Sequence, residues 1–166
     1  MVAAAVAPWK EAFPKARWVP EANWHVTIKF LGSTWPRLEE WVFDAVERVA
    51  DRQGPIQTRV MGLGAFPAPA RASVLWAGLD DDLDRLAGLA EELDGSLSRE
   101  FAPETRPFRP HLTVARSRPP IRLPEAFATT ELRTKPFTID RLVVFRSHLR
   151  RPAPLYEPLR TFPLKS

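Results

Sequence analysis

The chain has 166 residues, a length that favours a single domain or two small lobes sharing one core, and its 45% hydrophobic and 27% charged residues are typical of a globular protein. It contains no cysteine, which excludes disulfides, thiolate nucleophiles and zinc–thiolate sites. No apolar run approaches the ~18–20 residues that cross a bilayer, and the N-terminus lacks the basic region of a signal peptide. We therefore expect a cytoplasmic monomer that does not interact with membranes.

The net charge is only +4, but the charges are unevenly distributed. Residues 80–94 carry seven acidic side chains against Arg85 alone, whereas residues 99–122 carry six arginines against two glutamates. Residues 133–151 add five arginines and Lys135 against Asp140. Guanidinium groups bind phosphate in a bidentate way, so these clusters favour an anionic partner such as nucleic acid. The arginine codons of a GC-rich genome remain the other explanation for the overall bias.

The first half of the chain predicts a helix, a strand and a second helix. Residues 3–13 have weak helical character that ends before Pro14, and Asn23–Leu31 alternates like a strand that ends at Gly32. From Pro36 to Arg52 apolar residues recur at i, i+3, i+4 and i+7, which is typical of an amphipathic helix.

The second half predicts five more strands and one more helix. The predicted helix spans Asp81–Glu100, and its acidic first turn suits the positive end of the helix dipole. The predicted strands are Ile56–Phe66, Ser73–Leu79, His111–Ala115, Phe137–Phe145 and Leu155–Phe162. This order favours an α+β protein with two βαβ-type halves, in which helices cover mostly antiparallel sheets.

One short pattern occurs twice. The stretch WHVTIKF (residues 24–30) is echoed 86 residues later by PHLTVAR (residues 110–116), and both read His-apolar-Thr-apolar before a basic residue. Because side chains alternate along a strand, His25 and Thr27 share one face, as do His111 and Thr113. If the halves are related by a pseudo-twofold, the two faces meet across a cleft.

Two imidazoles and two hydroxyls on facing strands suit phosphoryl chemistry without a metal. One imidazole takes a proton from the nucleophile while the other gives one to the leaving oxygen, and a histidine pKa of ~6.5 allows both states near neutral pH. The threonine hydroxyls donate hydrogen bonds to phosphate oxygens, and an arginine stabilises the developing charge. From the residues alone, either histidine can be the acid.

Other interpretations of the histidines remain open. The third histidine, His148, follows a predicted strand in a basic turn and is expected at the surface. A metal site needs three or four ligands, so it would have to recruit His148 and carboxylates beside His25 and His111. A lone His-x-Thr in a strand is usually structural, and only its repetition favours catalysis.

The paired motifs resemble those of the 2H phosphoesterase superfamily. Within it, the chain is most similar to bacterial and archaeal RNA 2′,3′-cyclic phosphodiesterases, often labelled 2′-5′ RNA ligases. The resemblance is carried by ARWVPEANWHVTIKFLG (residues 16–32), FRPHLTVARS (residues 108–117) and LVVFRSHLRRPAPLYEPLRTFPL (residues 142–164).

The resemblance implies a bilobal fold of two pseudo-twofold-related, mostly antiparallel sheets, with helices packed outside and a central groove that carries the two motifs. It implies hydrolysis of a terminal 2′,3′-cyclic phosphate, on RNA or on cyclic nucleotides, to a 2′-phosphate, with no metal or other cofactor. His25 would be the general acid and His111 the general base. Thr27, Thr113 and Arg116 would bind the phosphate.

The resemblance fails at the N-terminus. Such proteins usually begin with a strand before the first helix, and this sequence shows none before residues 3–13. Either the start of the chain is misplaced or truncated, or this member does without that strand, whose loss would leave an unpaired edge beside the His25 strand and would weaken the first lobe or favour dimerisation. Two other functions remain open: an RNA- or nucleotide-binding module that uses the same basic groove without turnover, and 2′-5′ ligation of RNA ends as the reverse reaction at the same site.

Overall fold

The computed structural model describes residues 1–81, 83–150 and 154–165. Two parts of the predicted features lie outside the described residues: Asp82, in the acidic segment, and residues 151–153, in the basic stretch and the C-terminal motif. The described ranges contain helices α1 (Val2–Ala12), α2 (Glu39–Ala50), α3 (Arg85–Leu97) and α4 (Glu125–Ala128). Their strands are β1 (Arg17–Trp18), β2 (Ile56–Thr58), β3 (Val60–Phe66), β4 (Ala72–Leu79), β5 (His111–Ile121), β6 (Phe137–Ile139), β7 (Arg141–His148) and β8 (Leu155–Pro163).

The chain divides into two compact units, each built from three separate segments. The first unit is formed by Met1–Val26, Thr58–Asp80 and Pro110–Phe137, and the second by Thr27–Gln57, Asp81–Arg109 and Thr138–Ser166. Sheets are antiparallel where their register is defined, so the α+β expectation is confirmed. The pseudo-twofold and the groove between the halves stay predictions.

The first unit is a four-stranded sheet with helices on one face. The strand order is β1-β5-β4-β3, so β1 lies at an edge and β5 lies beside it. Val6 of α1 and Phe127 of α4 are fully buried against core residues of the sheet such as Leu75. The indole of Trp9 joins the two helices, because it lies edge-on to Phe127 at 5.2 Å and donates to the Thr130 hydroxyl at 3.2 Å.

The second unit packs α2 and α3 with the β7–β8 hairpin. The apolar stripe of α2 is buried as its periodicity predicts, and Phe43 packs against Phe162 of β8 with ring centroids 6.2 Å apart. Arg146 of β7 donates to Glu39 of α2 at 2.7 Å, and Arg52 contacts Glu92 of α3 at 2.5 Å. None of the helices in the described parts of the chain is long and apolar enough to cross a membrane.

The predicted strand Asn23–Leu31 is wrong as a continuous element. Asn23 ends a short 3₁₀ turn, and only Val26 forms a bridge, to Leu112 of β5. Pro20 precedes the turn and has no N–H to continue the β1 ladder, so the chain leaves β5 after Val19 and returns at Val26.

The predicted helix Asp81–Glu100 begins and ends inside those bounds. Helix α3 runs from Arg85 to Leu97, so its first turn carries no acidic residue. Asp81 instead caps the helix from outside, because its two carboxylate oxygens each accept a 2.9 Å hydrogen bond from the backbone N–H groups of Leu86 and Ala87.

Candidate active site

Strand β5 presents His111 and Thr113 on the sheet face opposite the helices. Leu112 pairs with the fully buried Ala77, whereas Thr113 pairs with Trp76 and His111 with Gly78. Since side chains alternate, Leu112 packs into the core and its two neighbours point to the other face. Both His111 and Thr113 are half-buried. We call this surface the site face.

A β-bulge brings Arg116 onto the site face. One step along β4, from Trp76 to Leu75, corresponds to two steps along β5, from Thr113 to Ala115. The extra residue is Val114, and both Val114 and Ala115 are fully buried. Strict alternation would have placed Arg116 with Leu112 in the core, whereas after the bulge Arg116 is exposed on the same face as Thr113.

His25 reaches the same face from the neighbouring segment. The bridge from Val26 to Leu112 is antiparallel, so its register places His25 opposite Thr113, and alternation turns His25 away from the core. Residues 20–24 form the loop between this bridge and β1. His25 is therefore the cross-strand neighbour of Thr113, His111 is its neighbour along β5, and all three lie in the first unit.

A backbone hydrogen bond fixes the tautomer of His25. Its Nδ1 lies 2.8 Å from the carbonyl oxygen of Asn23. A carbonyl only accepts, so Nδ1 carries the proton in both charge states, and Nε2 is the nitrogen that gains or loses one. This is the arrangement required of an imidazole that exchanges protons through a single ring atom.

Two aromatic rings that the repeated motif does not predict lie against His111. The ring of Phe66 is edge-on to the imidazole with centroids 5.1 Å apart, and that of Trp76 is 6.3 Å away. Trp76 and Phe66 also contact each other at 5.3 Å. The glycines at positions 64 and 78 within predicted strands are a signal for such a ring, because they leave room for a bulky side chain above the backbone.

The two motifs differ at their basic residues. Lys29 forms an ion pair with Asp94 and donates to the carbonyl of Ala102 at 2.7 Å, and its side chain is only 4% exposed. The hydrogen bond from Lys29 lowers the pKa of the Asp94 carboxyl. Lys29 therefore belongs to an ion pair within the second unit, whereas Arg116 is exposed on the site face.

Thr27 and the third histidine, His148, lie in the second unit. Thr27 follows the bridging residue Val26 and is exposed, so its part in phosphate binding stays a prediction. His148 ends β7, is partly exposed, and forms a 2.7 Å contact with the Glu157 carboxylate that lowers the pKa of Glu157. Among the described residues, no three His, Asp or Glu side chains cluster in a way that could hold a metal ion.

An antiparallel sheet face with two imidazoles, a hydroxyl and an exposed guanidinium offers the groups that acid–base chemistry on a phosphate ester requires, and the roles of these residues stay a prediction. The comparisons with known proteins agree with this class: the chain belongs to the 2′-5′ RNA ligase superfamily, whose family model matches residues 1–151. The resemblance inferred from the paired motifs is thus confirmed.

Curated relatives carry the name RNA 2′,3′-cyclic phosphodiesterase. The chain is 31% identical to the Thermus thermophilus protein over 156 residues, which cover 89% of this chain and 75% of the relative. It is 29% identical to the Aeropyrum pernix protein, covering 85% and 82% of the two chains. It is 28% identical to the Geobacillus stearothermophilus protein over 92% of this chain, but spans only 49% of that relative's length.

Solved structures share the fold. A Thermus thermophilus protein of known crystal structure superimposes with a TM-score of 0.81 at 24% identity, covering 99% of this chain and 92% of the other. LigT of E. coli complexed with 3′-AMP gives a TM-score of 0.73 at 22% identity, with the same coverage of 99% and 92%.

Proposed function

We propose that this protein hydrolyses the 2′,3′-cyclic phosphate at the end of RNA to a 2′-phosphate. The observation that carries the proposal is the bridge from Val26 to Leu112, which sets His25 opposite Thr113 on the strand that also bears His111. The superfamily membership and the names of the curated relatives support the same reaction.

His25 and His111 divide the proton transfers. His111 takes a proton from water as the water oxygen bonds to phosphorus, and the bond from phosphorus to the ribose 3′-oxygen breaks. His25 gives its Nε2 proton to that 3′-oxygen, and the hydrogen bond from Nδ1 to Asn23 keeps the ring oriented for this transfer. The phosphate remains on the 2′-oxygen, and the transferred protons balance.

Thr113, Thr27 and Arg116 bind the reacting phosphate. The register sets Thr113 opposite His25 and two residues along β5 from His111, and its hydroxyl donates to a non-bridging oxygen. We assign Thr27 to the same anion from the repeated motif. The Arg116 guanidinium, brought to this face by the bulge at Val114, stabilises the charge that grows on phosphorus oxygens in the transition state. We also propose that the protein is a cytoplasmic monomer and that it acts on RNA ends or on free cyclic nucleotides.

Phosphorus NMR of an oligoribonucleotide with a 2′,3′-cyclic phosphate end tests the reaction. In the presence of EDTA the cyclic signal is expected to convert to a 2′-phosphomonoester. His25→Ala and His111→Ala should each abolish most of the conversion, whereas His148→Ala, a histidine of the β7–β8 hairpin, is the matched control and should keep the wild-type rate. A cyclic phosphate left intact at high protein concentration, with salt-sensitive RNA binding, would instead identify a binding module.

A further inference from the structure

Two arginines face each other across β1 and β5. The register of the sheet pairs Arg17 with Arg116 and Trp18 with Ala115. Trp18 packs against the core and Ala115 is fully buried, so alternation turns Arg17 to the site face beside Arg116. Paired strands lie ~4.8 Å apart, which brings the bases of the two side chains close together.

Neither arginine has a partner of opposite charge among the described residues. Both are exposed, and neither forms an ion pair or side-chain hydrogen bond in the parts of the chain that the structure describes. Arg146 and Arg160 of the second unit, by contrast, contact Glu39 and Glu40. Like charges directly opposite each other destabilise a sheet. The Arg17–Arg116 pair is therefore a place where an anion is favoured.

The reacting phosphate does not account for both guanidinium groups. A cyclic phosphodiester carries a single charge and two non-bridging oxygens, and under the proposed function Thr113, Thr27 and Arg116 already contact them. Arg17 lies on the outer side of Arg116, in the edge strand β1. The next anion in an RNA strand is the phosphodiester on the 5′ side of the terminal nucleotide.

We infer that Arg17, paired with Arg116, binds the phosphodiester that precedes the cyclic phosphate, so that the site distinguishes an RNA end from a free cyclic mononucleotide. This inference rests on the proposed function. A mononucleotide has no second phosphate and gains nothing from Arg17. An oligonucleotide gains one charge-assisted contact. Loss of one contact between the protein and a phosphate of a single strand makes the slope of log Kobs against log salt concentration, called here the salt slope, shallower by ~0.7.

The experiment compares Arg17→Gln with Arg48→Gln, which removes an exposed arginine of α2 with no ion pair in the described residues. Binding of a short, labelled oligoribonucleotide with a 2′-phosphate end is followed by fluorescence anisotropy at several salt concentrations. Hydrolysis rates are measured on the cyclic-phosphate oligonucleotide and on a 2′,3′-cyclic mononucleotide. Turnover of the mononucleotide shows in the same preparation that the variant is folded.

Arg17→Gln is expected to weaken oligonucleotide binding about two- to fivefold, as for an exposed ion pair, and to lower the salt slope by ~0.7. Its mononucleotide kcat/KM should match the wild type. Arg17→Lys keeps the charge and should keep the salt slope. The inference would be overturned by any of three results. Arg17→Gln could lower the rates on the oligonucleotide and on the mononucleotide equally, Arg17→Lys could lower the salt slope as Arg17→Gln does, or Arg17→Gln could bind the oligonucleotide no differently from Arg48→Gln. Wild-type protein that binds but turns over neither substrate defeats the proposed function alone, because the binding arm still tests Arg17.

Discussion

The indole of Trp76 lies between Gly64 and His111. Its ring centroid is 6.3 Å from that of the imidazole, and a Cβ added to Gly64 would stand 2.2 Å from Cζ2 of the indole. The orientation of a candidate catalytic base thus depends on the absence of a side chain at a neighbouring strand position.

Gly64→Ala is expected to displace the indole and, with it, the packing around His111. Overpacking of this kind destabilises a fold by about 1–3 kcal/mol, and a small misplacement of a reacting group lowers kcat by up to about 10²-fold. Urea unfolding and cyclic-phosphate hydrolysis measure the two effects. Gly88→Ala in α3 is the control, because among the described residues no atom beyond its own helix backbone and chain neighbours lies within 4 Å of the added Cβ, and alanine favours a helix by up to ~1 kcal/mol. Unchanged kcat in Gly64→Ala would contradict a positioning role for Trp76.

The histidines could be found from the sequence, but the structure changes how they are brought together. The repetition of His-x-Thr singles out His25 and His111, and the part of β5 before its bulge presents His111 and Thr113 on one face as the period of two predicts. The first copy sits in a segment with a single bridge at Val26, because the 3₁₀ turn after Pro20 interrupts the ladder. Turns of this kind depend on local backbone geometry that apolar periodicity does not report.

The place of Arg116 could not be derived from the sequence. Its separation from Thr113 is odd, which in an unbroken strand puts the two on opposite faces, and only the bulge at Val114 reconciles them. Pairing register also brings Trp76 and Arg17 to the site, since each is distant in sequence from its β5 partner. Register is a tertiary property, and a single sequence specifies it weakly.

Arg116→Gln is expected to lower kcat/KM about 10²-fold without lowering stability. The size is that of removing one preorganised donor to a transition-state anion, and an exposed side chain with no partner in the described residues contributes little to folding. Steady-state hydrolysis of a cyclic mononucleotide and thermal unfolding check the two halves of the prediction. Arg48→Gln makes the same charge change elsewhere, and a loss of similar size in both variants would indicate a general charge effect.

The ion pair between Lys29 and Asp94 is expected to stabilise the second unit in a pH-dependent way. The side chains are 4% and 18% exposed, so Asp94→Asn leaves an uncompensated buried ammonium and should cost about 3 kcal/mol of unfolding free energy at neutral pH. The hydrogen bond from Lys29 lowers the pKa of Asp94 in the folded state, and the backbone N–H of Glu104, 3.1 Å from Oδ2, adds to this against the effect of burial.

A lowered carboxyl pKa stabilises the fold above the ordinary Asp value of ~3.9, and the benefit is lost as the pH falls through the folded pKa. The difference in unfolding free energy between wild type and Asp94→Asn should therefore shrink on acidification. Urea unfolding across a pH series measures it. Asp44→Asn, at an exposed position of α2, should stay within about 0.5 kcal/mol of wild type at every pH. A pH-independent difference would show that the lost charge is not the cause.

The assignment of acid to His25 and base to His111 is testable from the limbs of the pH–rate profile. Wild-type kcat/KM should give a bell, because the acid must be protonated and the base neutral. The residual rate of His25→Ala should no longer fall at high pH, since no protonated imidazole remains to be lost, and that of His111→Ala should no longer fall at low pH. The opposite pattern would exchange the two roles, and would require the hydrogen bond from His25 Nδ1 to Asn23 to orient a base instead of an acid.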